Sequence, residues 1–175
     1  MLLYFVSVKT RNNWYVAAMF FSFLGDVLLL DKNNMFLYGI AAFLITQLLY
    51  VFIIARQMPQ SDWKVKSKAI LPFSIFFIGL ISILKDGLGD FLIPVIIYGV
   101  AISIFGFVSL LNYLLKKDRA SLILLSGAIL FILSDSMIAL HKFYEPRAIY
   151  PAAIMITYVI AQFLIFNYMV KSENK

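Results

Sequence analysis

Long apolar blocks separated by short polar islands constrain this chain more than any other feature. Six blocks cover about 14–30, 35–55, 69–84, 91–115, 121–141 and 148–170. A helix needs about 20 apolar residues to cross the hydrocarbon core of a bilayer, with about 17–25 common. The first and third blocks are near or below that length and must borrow flanking residues. A further stretch, residues 1–8, would rise only about 12 Å as a helix and cannot cross alone. Isolated strands would leave backbone groups unpaired in lipid, and the runs are too long for barrel strands. The predicted fold class is therefore all-α, a polytopic transmembrane helical bundle. It has six full spans plus an N-terminal partial span, forming a single integral membrane domain over residues 1–175. Composition agrees: 63% of residues are hydrophobic and 14% charged, against roughly half and a quarter in a soluble domain.

The net charge of +6 raises a nucleic-acid reading, but the basic residues lie in the gaps between blocks. That placement fits lipid headgroups and topology, and no nucleic-acid partner is expected. Alternating the spans puts Lys9, Arg11, Arg56, Lys64, Lys66, Lys68, Lys116, Lys117, Arg119, Lys171 and Lys175 on one face. Only Lys32, Lys85, Lys142 and Arg147 lie on the other. The bias places the richer face and the C-terminus in the cytoplasm; in a bacterium the compartment is the inner membrane. The start "MLLYFVSV" carries no basic leader or small-residue cleavage site. Absence of cysteine excludes disulfides, thiol catalysis and thiolate metal sites. In "RQMPQSDWKVKSK" (56–68), Trp63 among lysines suits an interfacial anchor.

Two carboxylates interrupt the apolar blocks: Asp26 in "FFSFLGDVLLL" (20–30) and Asp135 in "GAILFILSDSMIAL" (127–140). Asp26 lies five residues before Asp31 and Asp135 six before His141. Both spans run outward, which sets the pair roughly 7 and 9 Å below the outer ends. A charge within a span costs about 2.5–3.5 kcal/mol on insertion scales, and such residues usually face a cavity or bundle interior. Tyr98, Tyr158 and Ser22 fall in the same half of the bilayer, with Gln47 and Gln162 somewhat deeper. Together they are candidates for a polar pocket that opens outward, with apolar walls suited to a lipid tail.

Each residue also has a plainer role open to it. Either aspartate alone fits a helix cap or interhelical hydrogen bond, the tyrosines fit packing, and the glutamines fit interhelical bonding. The lone His141 reads as a solvated span end. Gly25, Gly39, Gly99 and Gly106 read as close helix contacts. One histidine and two carboxylates are few ligands for a metal, so none is expected. Two acids in one low-dielectric pocket suit general acid–base work at acetal-like carbon–oxygen bonds, one holding a proton while the other is ionised. A proton-coupled or small-molecule transporter and an intramembrane aspartyl protease are the competing readings.

"FFSFLGDVLLL" followed by "FLYGIAAFLITQLLYVF" resembles the signature of the YhhN-like lysoplasmalogenases, the family that includes the animal transmembrane protein 86 enzymes. "PVIIYGVAISI" (94–104), "SGAILFILSDSMIALHKF" and "ITYVIAQFLI" match its later motifs in order, over about residues 14–170. The resemblance implies an integral membrane hydrolase with eight spans in the usual layout and no cofactor. Its substrate would be a lysophospholipid drawn from the surrounding membrane lipids. The implied reaction cleaves the vinyl ether bond of lysoplasmalogen, giving a fatty aldehyde and a glycerophospho-alcohol, with Asp26 and Asp135 at the two acidic positions. Two departures stand out. The family's first span and the Lys-Pro motif of its second are missing, and a histidine common in the family is Gln47 here. That substitution retains hydrogen bonding but not a histidine proton relay.

Overall fold

The computed structural model describes residues 2–8, 11–31 and 34–173. Within them the chain is helical throughout: α1 (Leu2–Ser7), α2 (Asn13–Leu28), α3 (Phe36–Arg56), α4 (Trp63–Leu88), α5 (Leu92–Lys116), α6 (Arg119–Phe143) and α7 (Tyr150–Glu173). A single 3₁₀ turn, Gly89–Phe91, joins α4 to α5. Among the described residues, four apolar helical segments are long enough to cross a membrane. One of these, Trp63–Lys116, is a hairpin, because α4 and α5 double back at Gly89 and pack on each other. Gly89 adopts φ +48°, a left-handed conformation that glycine takes without a Cβ clash. The molecule is thus a multi-pass helical membrane bundle.

Local chemistry fixes the helix ends. Asn12 caps α2 by accepting from the amides of Trp14 (3.0 Å) and Tyr15 (3.3 Å). Asp118 caps α6 by accepting from the Ser121 amide at 2.8 Å. Both side chains satisfy amides that a helix start leaves without an internal partner. The third block borrows as expected: α4 takes in the polar "WKVKSK" and grows to 26 residues, with Trp63 exposed at its start.

The first block does not extend. α2 has 16 residues and rises about 24 Å, short of the roughly 30 Å hydrocarbon thickness. The expected full span over 14–30 is corrected to this shorter helix. Its end tightens where the Leu29 and Leu30 amides donate to Gly25 and Val27. Asp31 then turns the chain by accepting from the Asn34 amide at 3.2 Å.

The helices alternate in direction, and contacts at both ends establish this. At one end, Asn12 donates to Glu173 (2.8 Å) and Ser172 to Gln57 (2.6 Å), joining the start of α2 to the ends of α3 and α7. This end carries Arg11, Arg56, Lys116 and Lys171. At the other end, the rings of Phe36, Phe91 and Phe143 meet with centroids 5.5–5.7 Å apart. The Lys142 ammonium stands 4.5 Å above the Phe36 ring centre. Lys9, Lys32 and Lys175, also used to orient the spans, lie outside the described residues.

Helix α5 is central, packing against α3, α4 and α6, while α6 pairs closely with α7 and α2 with α3. Tyr15, Tyr50, Phe105 and Phe131 fill the core between them. The N-terminal fragment joins this core: Tyr4 is buried, 4.8 Å from Tyr15 between ring centres, and its hydroxyl accepts from the Asn12 amide. Glycines allow the tight approaches. A Cβ on Gly87 would lie 1.9 Å from the Phe143 carbonyl oxygen, which locks the α4–α5 turn against the end of α6.

Candidate active site

The carboxylates stand in two adjoining but dissimilar settings. Asp26 sits on the rim of the bundle, two residues before the end of α2, so it is shallower than the apolar run suggested. Asp135 sits eight residues before the end of α6, deeper than expected, because α6 continues past His141 to Phe143.

A chain of donors terminates on Asp26. The Tyr158 hydroxyl donates to its carboxylate at 3.0 Å. Having spent its one proton there, Tyr158 accepts from Ser22 at 2.8 Å and from the Gln162 amide at 3.0 Å. Gln162 also donates to Ser22 at 2.6 Å, while its own carbonyl accepts from Tyr50 at 3.1 Å. Three helices supply these groups: Ser22 and Asp26 from α2, Tyr50 from α3, and Tyr158 and Gln162 from α7. Helical spacing explains the set, since residues four apart lie on one face. That relation holds for Ser22 with Asp26 and for Tyr158 with Gln162. Every proton in the chain is directed toward an acceptor-only group, an arrangement suited to an ionised carboxylate.

Asp135 has a sparser setting. It accepts a hydrogen bond from the Tyr98 hydroxyl of α5. Gln47 of α3 is fully buried nearby, and among the described residues neither its amide nitrogen nor its carbonyl oxygen reaches hydrogen-bonding geometry with a partner. Its side chain lies beside the Tyr98 hydroxyl. Unpaired buried amides are uncommon, and each calls for a reason such as a ligand or water contact. The neighbouring serines are occupied elsewhere: Ser134 donates to Ile154 of α7 (3.1 Å) and Ser136 to Ile132 in its own helix (2.6 Å).

Two cavities of about 50 Å³ each border the Tyr98–Asp135 pair. One leads past Phe43 and Ile40 to Phe36 and Phe143, at the end away from the basic face. The other lies between α4, α5 and α6, against Phe77, Leu84 and Ile102. Phe43 joins the two carboxylate settings. Its ring lines the first cavity and stands edge-on to Tyr158, 6.0 Å between centres. Phe131 meets Tyr158 at 5.6 Å.

All seven sequence candidates therefore lie in this region, though not in one shell. Asp26, Ser22, Tyr158 and Gln162 share one network; Asp135 and Tyr98 form a second, with Gln47 beside it. Tyr50, Phe43 and Phe131 were missed. A signal existed for two of them, because Phe43, Gln47 and Tyr50 recur at the four- and three-residue spacing of one helix face. His141 packs edge-on against Tyr150 at the end of α6 and borders neither cavity. Gly25, Gly39, Gly99 and Gly106 allow close approach: a Cβ on each would lie 2.4–2.7 Å from a Phe or Leu side chain. Among the described residues, no three His, Cys, Asp or Glu side chains cluster as a metal site.

The YhhN family model matches residues 1–169. The match takes in the N-terminal fragment as well as both aspartate motifs and the tyrosine-bearing α5. Neither a curated protein nor a solved structure matches the chain. With nearly its whole length matched, and with a multi-pass helical bundle as its fold, the chain belongs to the YhhN family.

Proposed function

We propose that this protein is a membrane hydrolase that cleaves the vinyl ether bond of lysoplasmalogen or a closely related lysolipid, using Asp26 and Asp135. Membership of a lysoplasmalogenase family supports hydrolysis in the membrane as the general activity. The observation that carries the finer reading is the contrast between two carboxylate settings that share Phe43. One ends a donor chain; the other borders apolar cavities and accepts from the Tyr98 hydroxyl.

In this reading Asp135 carries the proton and Asp26 is ionised. Asp135 protonates the enol-ether carbon remote from the oxygen, and positive charge develops on the carbon–oxygen unit. The Asp26 carboxylate, held by Tyr158, stabilises that charge and accepts a proton from the attacking water. Oxygen from water bonds to the carbon bearing the ether oxygen, giving a hemiacetal. Collapse breaks the carbon–oxygen bond: the leaving oxygen takes the proton held by Asp26 and the hemiacetal hydroxyl gives its proton to Asp135, releasing a fatty aldehyde and a glycerophospho-alcohol with both acids restored. One water is consumed and no electrons change hands. Tyr98 positions Asp135, and Gln47 offers a donor and an acceptor to the water or the substrate oxygen. The more basic face and the C-terminus lie in the cytoplasm, so the cavity mouth near Phe36 faces the opposite leaflet.

The test is aldehyde release from lysoplasmalogen by purified protein in detergent or proteoliposomes. Turnover is expected, and it should be absent with the saturated ether analogue, which cannot be protonated to the same cation. Failure to release aldehyde from ethanolamine- or choline-headed substrates would falsify the assignment.

A further inference from the structure

The cavity on the α4 side of Asp135 has a larger neighbour. Phe77 and Ser103 line both it and a larger groove of about 340 Å³ between α4 and α5. The groove passes Phe73, Ile104 and Phe107 and reaches Ile70. Because α4 and α5 are antiparallel, it descends from the level of Asp135 toward the basic face. Its α4 lining runs from Ile78 to Ile70, about 12 Å; with the adjoining cavity, which reaches Leu84, the two cover about 21 Å of α4.

We infer that this groove holds the single hydrocarbon chain of the lipid, with the reacting bond at the Tyr98–Asp135 pair and the chain's methyl end toward the basic face. The inference rests on the lipid-hydrolase reading and adds the direction and seat of the chain. Three observations support it. The groove adjoins the cavity that touches the carboxylate, sharing Phe77 and Ser103 with it. Its Ser103 hydroxyl is turned away to the Gly99 carbonyl at 2.7 Å, and apart from Ser74 the rest of the lining is apolar. Its volume lies near the lower end of the roughly 300–1,000 Å³ of small-molecule sites, which suits one chain rather than the two of a diacyl lipid. The inner wall is shaped by glycine: the rings of Phe77 and Phe73 occupy the space where a Cβ on Gly99 or Gly106 would project, at 2.5 and 2.4 Å.

The experiment compares short-chain and long-chain alkenyl lysolipids on wild type, Ile104→Trp and Leu71→Trp. Ile104 lines the groove, whereas Leu71 is exposed on α4 outside it. Ile104→Trp should lower kcat/KM on the long chain about tenfold or more and leave the short chain unchanged. Leu71→Trp should change neither. Equal loss on both chains, or no loss, overturns the groove as chain seat while leaving the hydrolase reading intact. A saturated lysolipid with a photoreactive chain end, reconstituted in proteoliposomes, tests the seat without turnover. Label should fall on Ile70–Phe77 and Ile104–Phe107 and drop in Ile104→Trp. Label spread equally over the exposed face of α7 overturns the seat. Groove label without aldehyde from any substrate upholds the seat and removes the hydrolase reading.

Discussion

Asp26 and Asp135 enter the sequence in nearly the same words, "FLGD" and "ILSD", yet they occupy opposite kinds of surroundings. Asp26 is on the rim at a helix end and terminates a relay of hydroxyl and amide donors from three helices. Asp135 lies well inside its helix, between two apolar cavities, with Tyr98 donating to it. The difference teaches that carboxylates of equal rarity need not be equivalent. Neighbouring donors suit one to charge, while an apolar surround suits the other to carrying a proton. Each prediction below breaks one side of that contrast.

The largest effect should follow from Asp135→Asn, which keeps the shape but removes the proton donor. Turnover is expected to fall about 10³-fold, within the usual range for a general acid, with little change in melting temperature. Aldehyde release together with a detergent melting curve checks both. Normal turnover would remove Asp135 from the chemistry.

Asp26→Asn should cost less, about 10²-fold in kcat. Water can still attack the cation, and the loss is of charge stabilisation and proton acceptance. Equal loss in both variants, with no further loss in the double mutant, means that the two act as one inseparable unit. A smaller effect on kcat, about tenfold, is expected for Tyr158→Phe, which cuts the donor chain at its last link. Ser22→Ala should do less still, because Gln162 continues to donate to Tyr158. If Ser22→Ala is the more damaging, the relay does not run toward Asp26.

How much of this contrast was legible in the sequence follows from the forces involved. Apolar blocks disclosed the helices, since lipid leaves the backbone little alternative. The same logic flagged both aspartates as worth a cavity or partner. It missed the early end of α2, which depends on where the Leu29 and Leu30 amides turn back and on the Asp31 side chain. Hydropathy continues through Leu30 and cannot register that end. Nor does it disclose that Tyr4 is buried against Tyr15, because a six-residue helix has no signal apart from its tertiary contact. The seven candidates were named, but their division into two networks was not. That division depends on which face of α3 turns between α2 and α5, a matter of three-dimensional packing. Tyr50 is one of ten tyrosines; its spacing from Phe43 and Gln47 puts it on their helix face, but its bond to Gln162 is a matter of packing.

The smallest effect separates structure from function by its sign. Gln47 is buried with neither amide atom paired, so its side chain is a burden on the folded state of about 1–3 kcal/mol. An amide retained only for packing should find partners, as Gln162 does with Tyr50, Ser22 and Tyr158. Gln47→Met keeps the volume and removes the unpaired groups. It should raise the melting temperature by about 2–4 °C for each kcal/mol relieved in a chain of this size. Turnover should fall severalfold, mainly in kcat, because the positioned donor and acceptor beside Tyr98 are gone. Gln47→Glu serves as a second probe: it keeps an acceptor but loses the amide donor, so activity retained there assigns the useful role to the carbonyl oxygen. A methionine variant both less stable and fully active places Gln47 among the packing residues. The sparse setting of Asp135 would then stand on Tyr98 and the cavities alone.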